Sequence, residues 1–169
     1  MVKVAVFSDT HNSPDPMREA IRLCEPDAVI HCGDGVRDVR SVEPDFPGLP
    51  FYYVAGNCDF GDNMRLARTV DIAGVKIYIA HGHTLGVKYG DLDRLGYAAR
   101  EAGASVAVFG HTHIPVCKRL GNITLINPGS AGTGYDPTWG ILEIDDNGFI
   151  SWHLHHFSGG INKHTYKKS

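Results

Sequence analysis

Residues 2–11 read VKVAVFSDTH: a largely apolar run from Val2 to Phe7, then an abrupt stop at Ser8, Asp9, Thr10 and His11. Such a run, rich in β-branched residues and closed by polar ones, predicts a buried strand with polar groups at its carboxyl end. The same grammar returns four times. Runs at 28–32, 51–55, 75–80 and 106–109 stop at Asp34, at Asn57, at His81 and at His111, three of them through a glycine. Further strands are predicted at 68–72, 122–127, 139–144 and 149–157, the last two joined by a turn at 145–148.

Helical punctuation separates the early strands. Ser13, Pro14, Asp15 and Pro16 supply a cap and a first turn, and Met17, Ala20, Ile21 and Cys24 follow at helical spacing up to Glu25 and Pro26. A second helix fits 91–102, with Leu92, Leu95, Ala99 and Ala102 on one face and Gly103 as terminator. Strands alternating with helices early, then consecutive strands late, predict an α/β fold with mixed sheets. The later strands are expected to form a second sheet packed on the first.

A chain of 169 residues suits one domain over 1–169, large enough to need no disulfide. Net charge of −3 argues against nucleic-acid binding and against anionic membranes. Cys24, Cys32, Cys58 and Cys117 contain no C-x-x-C pair and are expected as free thiols of a reducing compartment. No apolar stretch approaches the roughly 20 residues of a membrane span, and a cytoplasmic location is expected by default.

The five strand ends carry Asp9 and His11, Asp34, Asn57, His81 and His83, and His111 and His113. Open α/β sheets place their sites beyond the carboxyl ends of strands, so these ends are expected to converge. Residues two apart in extended chain point to one side, which lets Asp9 with His11, and His111 with His113, aim together. A lone Asp-x-His or Gly-Asp is commonplace on a surface; five such pieces at five strand ends are not. Carboxylate and imidazole without thiolate suit catalytic manganese, iron, zinc or nickel. A shared carboxylate can bridge two such ions and clamp a phosphoryl group between them.

These motifs resemble those of the calcineurin-like metallophosphoesterase family, especially its small YfcE-type phosphodiesterase branch. The pattern D-x-H, G-D, G-N-[HC]-[DE], H-G-H, G-H-T-H is met in order by Asp9 and His11; Gly33 and Asp34; Gly56, Asn57, Cys58 and Asp59; His81 and His83; and Gly110, His111 and His113. The resemblance implies a four-layer sandwich of two mixed β-sheets flanked by helices. It implies two divalent metal ions, Mn²⁺ foremost and Ni²⁺, Fe²⁺ or Zn²⁺ as alternatives. Asp9, His11 and His113 would hold one, Asn57, His81 and His111 the other, with Asp34 bridging. Hydrolysis of a small phosphodiester by hydroxide held between the ions follows, as does a dimer or tetramer. The alternative is a scaffold that keeps the fold without catalysis, but none of the seven ligands is missing.

Two departures stand out. Larger relatives place a proton-donating histidine where this chain has Cys58, and small relatives place Pro-Arg soon after Asn-Pro-Gly-Ser where this chain has none. A thiol is a weak proton donor, so the catalytic acid is assigned to His83, two residues beyond His81, with Asp59 orienting the imidazole. Asn127 to Gly134 reads either as a backbone phosphate cradle or as a tight connection. His31 reads as a core histidine, His153 and His155 of the cluster His153, His155 and His156 as one exposed strand face, and 163–169 as a frayed tail.

Overall fold

The alternation inside strand β1 (Val2–Phe7) decides the layers. Val4 and Val6 join one apolar cluster, whereas Ala5 and Phe7 join another, so both faces of the strand are buried. Period-two side-chain geometry does this wherever a strand is covered on both sides. The computed structural model describes residues 1–157 and the backbone of 161–164.

Strands β2 (Ala28–His31) and β3 (Phe51–Tyr53) extend from β1 in parallel, and β9 (Thr138–Ile144), β10 (Ile150–His156) and β11 (Ile161–His164) extend from its other edge antiparallel. The resulting sheet has six strands in the order β11-β10-β9-β1-β2-β3. A second, five-stranded sheet runs β4-β5-β6-β8-β7, built from Ala67–Ile72, Val75–Ala80, Val106–Val108, Ile123–Asn127 and Val116–Leu120 for β4, β5, β6, β8 and β7. Ile77, Ile79, Val106, Val108 and Ile126 from this sheet meet Val4, Val6, Ile30 and Leu142 from the first in one core. Helices α1 (Pro14–Cys24) and α2 (Val36–Val42) cover the outer face of the first sheet, and α3 (Asp93–Glu101) covers the second. The fold is therefore a four-layer α/β sandwich of two mixed sheets, as expected.

The partition of strands differs from the expectation. The late strands β9 and β10 do not start a second sheet; they pair with β1, Val2 against Ile144 and Val6 against Gly140. The second sheet is the middle of the chain. Helix α2 was not expected, because Val36, Val39 and Val42 are too few and too β-branched to announce a helix, yet their three-residue spacing buries one face. Strand β7 was also missed: Lys118 and Arg119 interrupt its pattern, as charge does on a sheet edge.

Ser13 makes no side-chain cap, and α1 opens on proline and closes at Glu25 in a left-handed conformation. All four cysteines are free thiols. His31 is fully buried, as a core histidine should be. His153 and His155 are not on an open face: His153 meets Glu143 at 3.1 Å and His155 stacks on Trp139 with centroids 4.7 Å apart. Of the supposed frayed tail, residues 163 and 164 belong to β11, and 165–169 lie outside the described residues. Among the described residues, no helix is long and apolar enough to cross a membrane.

Candidate metal centre

Parallel strands deliver their carboxyl ends to one edge of a sheet, and here both sheets do so side by side. Asp9 follows β1, Asp34 follows β2, Asn57 follows β3, His81 follows β5 and His111 follows β6. At these points the chain turns sharply. Of nine non-glycine residues with positive φ among the described residues, five are Asp9, Asp34, His11, His111 and His113, at φ between 45° and 70°. Left-handed backbone is costly for residues with a Cβ and persists where surrounding structure enforces it, typically at functional sites. Gly56 permits a close approach: a Cβ there would lie 2.1 Å from Asp34 Oδ1.

The side chains converge as expected. Asp9 Oδ1 lies 3.1 Å from His113 Nε2, 3.6 Å from His11 Nε2 and 3.8 Å from His81 Nε2. Asp34 Oδ2 lies 3.3 Å from His81 Nε2 and 3.8 Å from His11 Nε2. Asn57 Oδ1 lies 3.1 Å from His81 Nε2, and the His11 and His113 Nε2 atoms face each other at 3.3 Å. His111 joins differently, its backbone N–H donating to Asp9 Oδ2 at 3.1 Å and its ring standing edge-on to His81 with centroids 5.0 Å apart.

His81 shows what this arrangement demands. Its Nδ1 sits 2.8 Å from the Cys32 carbonyl, which only accepts, so Nδ1 carries the proton. Nε2 of the neutral ring is then a lone pair facing three oxygens, those of Asn57, Asp34 and Asp9. Acceptors held this close need a proton or a cation between them. Hard oxygens mixed with imidazole nitrogens fit divalent first-row ions. Cys58 adds a thiol within the same reach of His11 and Asp34.

The charge balance follows. Desolvation would raise the Asp34 carboxyl, but the His81 ring and the Cys58 N–H outweigh it and hold it well below the usual range. Burial depresses His81, yet Asp34 and Asp9 outweigh it and raise the ring above its ordinary value. The hydrogen bond to Asp9 likewise raises His113. His81 and His113 therefore hold a proton more readily than ordinary imidazoles, and an ion bound there must displace it, which couples metal affinity to pH. His83 goes the other way, lowered by desolvation and then by His81. Desolvation, then the Asp34 carboxylate, pushes the Cys58 thiol up and leaves it a weak donor.

Asp59 is placed otherwise than expected. Its Oδ2 accepts the N–H groups of Asp34 at 2.7 Å and Gly56 at 2.8 Å; its Oδ1 accepts those of Gly35 at 3.1 Å and Val36 at 2.9 Å. Among the described residues no imidazole hydrogen-bonds to it, so it locks the two loops that carry Asp34 and Asn57 and does not orient His83. His83 stands with its ring centroid 5.4 Å from His81 and 6.2 Å from His111, and its buried Nδ1 has no partner. The segment after Asn127 is a connection. Its Gly129, Ala131, Gly132 and Thr133 N–H groups are taken by Asn127, Ser8, Asp9 and Ser130. From His11 and Asp34 a cleft of about 440 Å³ opens past Arg37, Arg40 and Phe60. These three were missed in the sequence, two because α2 was, although Phe60 directly follows Asp59.

Comparison with known proteins agrees with this geometry. Residues 2–147 match the model of the calcineurin-like phosphoesterase superfamily domain, and the chain belongs to that superfamily. It is 35% identical to a probable metallophosphoesterase of Bacillus subtilis, YsnB, over 76% of this chain and 75% of that one. It is 30% identical to a phosphodiesterase of Methanocaldococcus jannaschii over 85% of this chain and 94% of that one. A Streptococcus pneumoniae crystal structure described as a predicted phosphoesterase superposes with a TM-score of 0.80 at 25% identity, covering 99% of this chain and 98% of the other. Vps29 of Entamoeba histolytica in complex with Zn²⁺ shares the fold, with a TM-score of 0.78 at 21% identity and 98% of each chain covered.

Truncating Asp59 to alanine strips four backbone donors of their acceptor at once. We expect Asp59→Ala to lower unfolding stability by at least about 2 kcal/mol, since hydrogen bonds to a charged group are the strong ones. Urea denaturation measures this, and a loss within about 0.5 kcal/mol, the range of an ordinary surface change, contradicts the clamp.

Proposed function

We propose that this member of the calcineurin-like phosphoesterase superfamily is a phosphodiesterase working with two divalent ions, manganese foremost. The observation that carries the reading is the set of opposed acceptors around His81 and Asp34. In this reading Asp9, His11 and His113 hold one ion, Asn57, His81 and His111 hold the other, and Asp34 serves both. The position of Asp34 Oδ2, within 3.8 Å of a ring nitrogen from each group, supports the shared role. The continuous apolar layers support reading 1–169 as one functional unit.

Bound ions of this kind supply Lewis-acid polarisation of phosphoryl oxygens and activate water near neutral pH. The chain contributes placement. Asp59 fixes the Asp34 and Asn57 loops, Cys32 fixes the His81 tautomer, and Thr133 sits 3.3 Å from His113 Nδ1. With both ring orientations and both loops fixed, little reorganisation is left for the reaction itself.

Expulsion of an alkoxide needs a proton, and in this reading His83 delivers it. Its unpartnered Nδ1 and its position beside His81 and His111 support this. Desolvation and then His81 disfavour its imidazolium, whereas an anionic phosphoryl group beside it would favour that form. Cys58, pushed up instead, is the weaker donor.

The competing reading is a non-catalytic scaffold of the same fold. Metal occupancy alone does not separate the two, because one Vps29 structure is itself a Zn²⁺ complex. Turnover does. Manganese-loaded protein should hydrolyse bis(p-nitrophenyl) phosphate, lose that activity on chelation and regain it with manganese. No turnover above that of free manganese supports the scaffold, and a higher kcat/KM on p-nitrophenyl phosphate overturns the preference for diesters.

The role of His83 has its own signature. His83→Ala should slow alkyl esters by roughly 10²–10⁴-fold, the worth of a positioned acid, and nitrophenyl esters far less. An equal loss on both, accompanied by reduced metal content, assigns His83 to the support of the metal ligands.

A further inference from the structure

The cleft that opens from His11 and Asp34 continues well beyond the centre itself. Arg37 and Arg40 line it from the exposed side of α2, one helical turn apart. Neither guanidinium has a carboxylate partner or a hydrogen bond among the described residues. Besides Asp34, which belongs to the centre, two carboxylates line the cleft, and both are already hydrogen-bonded to backbone. Asp38, 5% exposed, accepts the Asn12 N–H at 3.0 Å, and Asp59 accepts four N–H groups as described above. On a chain of net charge −3, a pair of unneutralised arginines in a concave wall beside a phosphoesterase centre calls for an anion. Phe60, 86% exposed, and Met64 line the same cleft. An aromatic ring this open at the edge of a cleft is a stacking platform without a stack.

A smaller cleft of about 150 Å³ shares Val36, Arg40 and Met64 with the first and adds Arg65 and Arg68. Arg68 is engaged, its guanidinium carbon lying 5.1 Å from the centroid of the Tyr52 ring. Arg65 carries no such contact among the described residues. Arg40 therefore lines both clefts, and Arg65 and Arg68 add positive charge to the second.

We propose that this cleft is the specificity site: it takes a nucleotide-like half of the diester, stacking its ring on Phe60 and binding a second, non-scissile phosphate at Arg37 and Arg40. A volume of about 440 Å³ is within the range of small-molecule pockets and suits one nucleoside phosphate unit, not a polymer. The basic group that is missing after Asn-Pro-Gly-Ser is supplied here from another element. The identity of the reacting ester rests on the phosphodiesterase reading; the affinity of the cleft for a second phosphate does not.

The test compares manganese-loaded protein on thymidylyl-thymidine (TpT) with the same dinucleotide bearing a terminal phosphate at its 5′ end (pTpT) or 3′ end (TpTp). One phosphorylated form should exceed TpT in kcat/KM by roughly ten- to hundredfold, the worth of a charge-assisted contact. R37A/R40A should collapse that ratio toward one, R37K/R40K should restore part of it, and Phe60→Ala should raise KM for the dinucleotides. Elemental analysis shows whether each variant keeps its metal. A wild-type ratio near one for both forms, or a ratio that survives R37A/R40A, overturns the proposal. If the wild type cleaves no diester, the phosphodiesterase reading fails, and calorimetry of pTpT, TpTp and TpT binding to the metal-loaded protein decides the cleft alone. Tighter binding of a phosphorylated form, lost in R37A/R40A, upholds it, and equal binding overturns it.

Discussion

Around His81, three oxygen atoms from three different loops face one ring nitrogen whose other side is pinned by the Cys32 carbonyl. Everything near the centre serves to hold that mutually repulsive arrangement in place. Two carboxylates and several imidazoles would spread apart in a chain free to relax. They are kept together because β1, β2, β3, β5 and β6 end at one edge and because the turns after them adopt left-handed backbone that only dense bracing sustains. Strain and repulsion accumulate here while stability is supplied elsewhere, by three apolar layers that lock both sheets and their helices.

The bracing is specific. Asp59 collects four N–H groups from the loops bearing Asp34 and Asn57. Asn127 bridges the Gly110 carbonyl and the Thr112 hydroxyl at 3.0 Å each, steadying the loop of His111 and His113. Ser130 donates its hydroxyl to the Asp9 carbonyl at 2.8 Å. The polar residues behind the donor set are thus mostly tied to backbone, so the geometry depends little on the rotamers of long side chains.

Much of this was legible in the residues. The run-and-stop pattern marked the strand ends, and the five ordered motifs marked seven residues that the fold brings to one place, because both depend on local sequence. What was not legible depends on partners distant in sequence. The pairing of β9 with β1 joins residues more than a hundred positions apart, and nothing in the run at 139–144 names its neighbour. An acid near histidines suggests an imidazole partner for Asp59; only the folded loop shows that its oxygens meet amides first. Arg37 and Arg40 gain meaning from the wall they line, and that wall requires α2, which a seven-residue, valine-rich segment does not announce.

The central claim is that Asp34 stands between two cation sites. Fold alone does not establish this, since proteins as distant as Vps29 share the architecture. Anomalous diffraction from crystals of the manganese-loaded protein, recorded at the manganese edge, addresses it directly. The account predicts two peaks about 3.5–4 Å apart, with Asp34 touching both, Asp9, His11 and His113 around one, and Asn57, His81 and His111 around the other. A single peak, or a second peak that Asp34 does not reach, contradicts it.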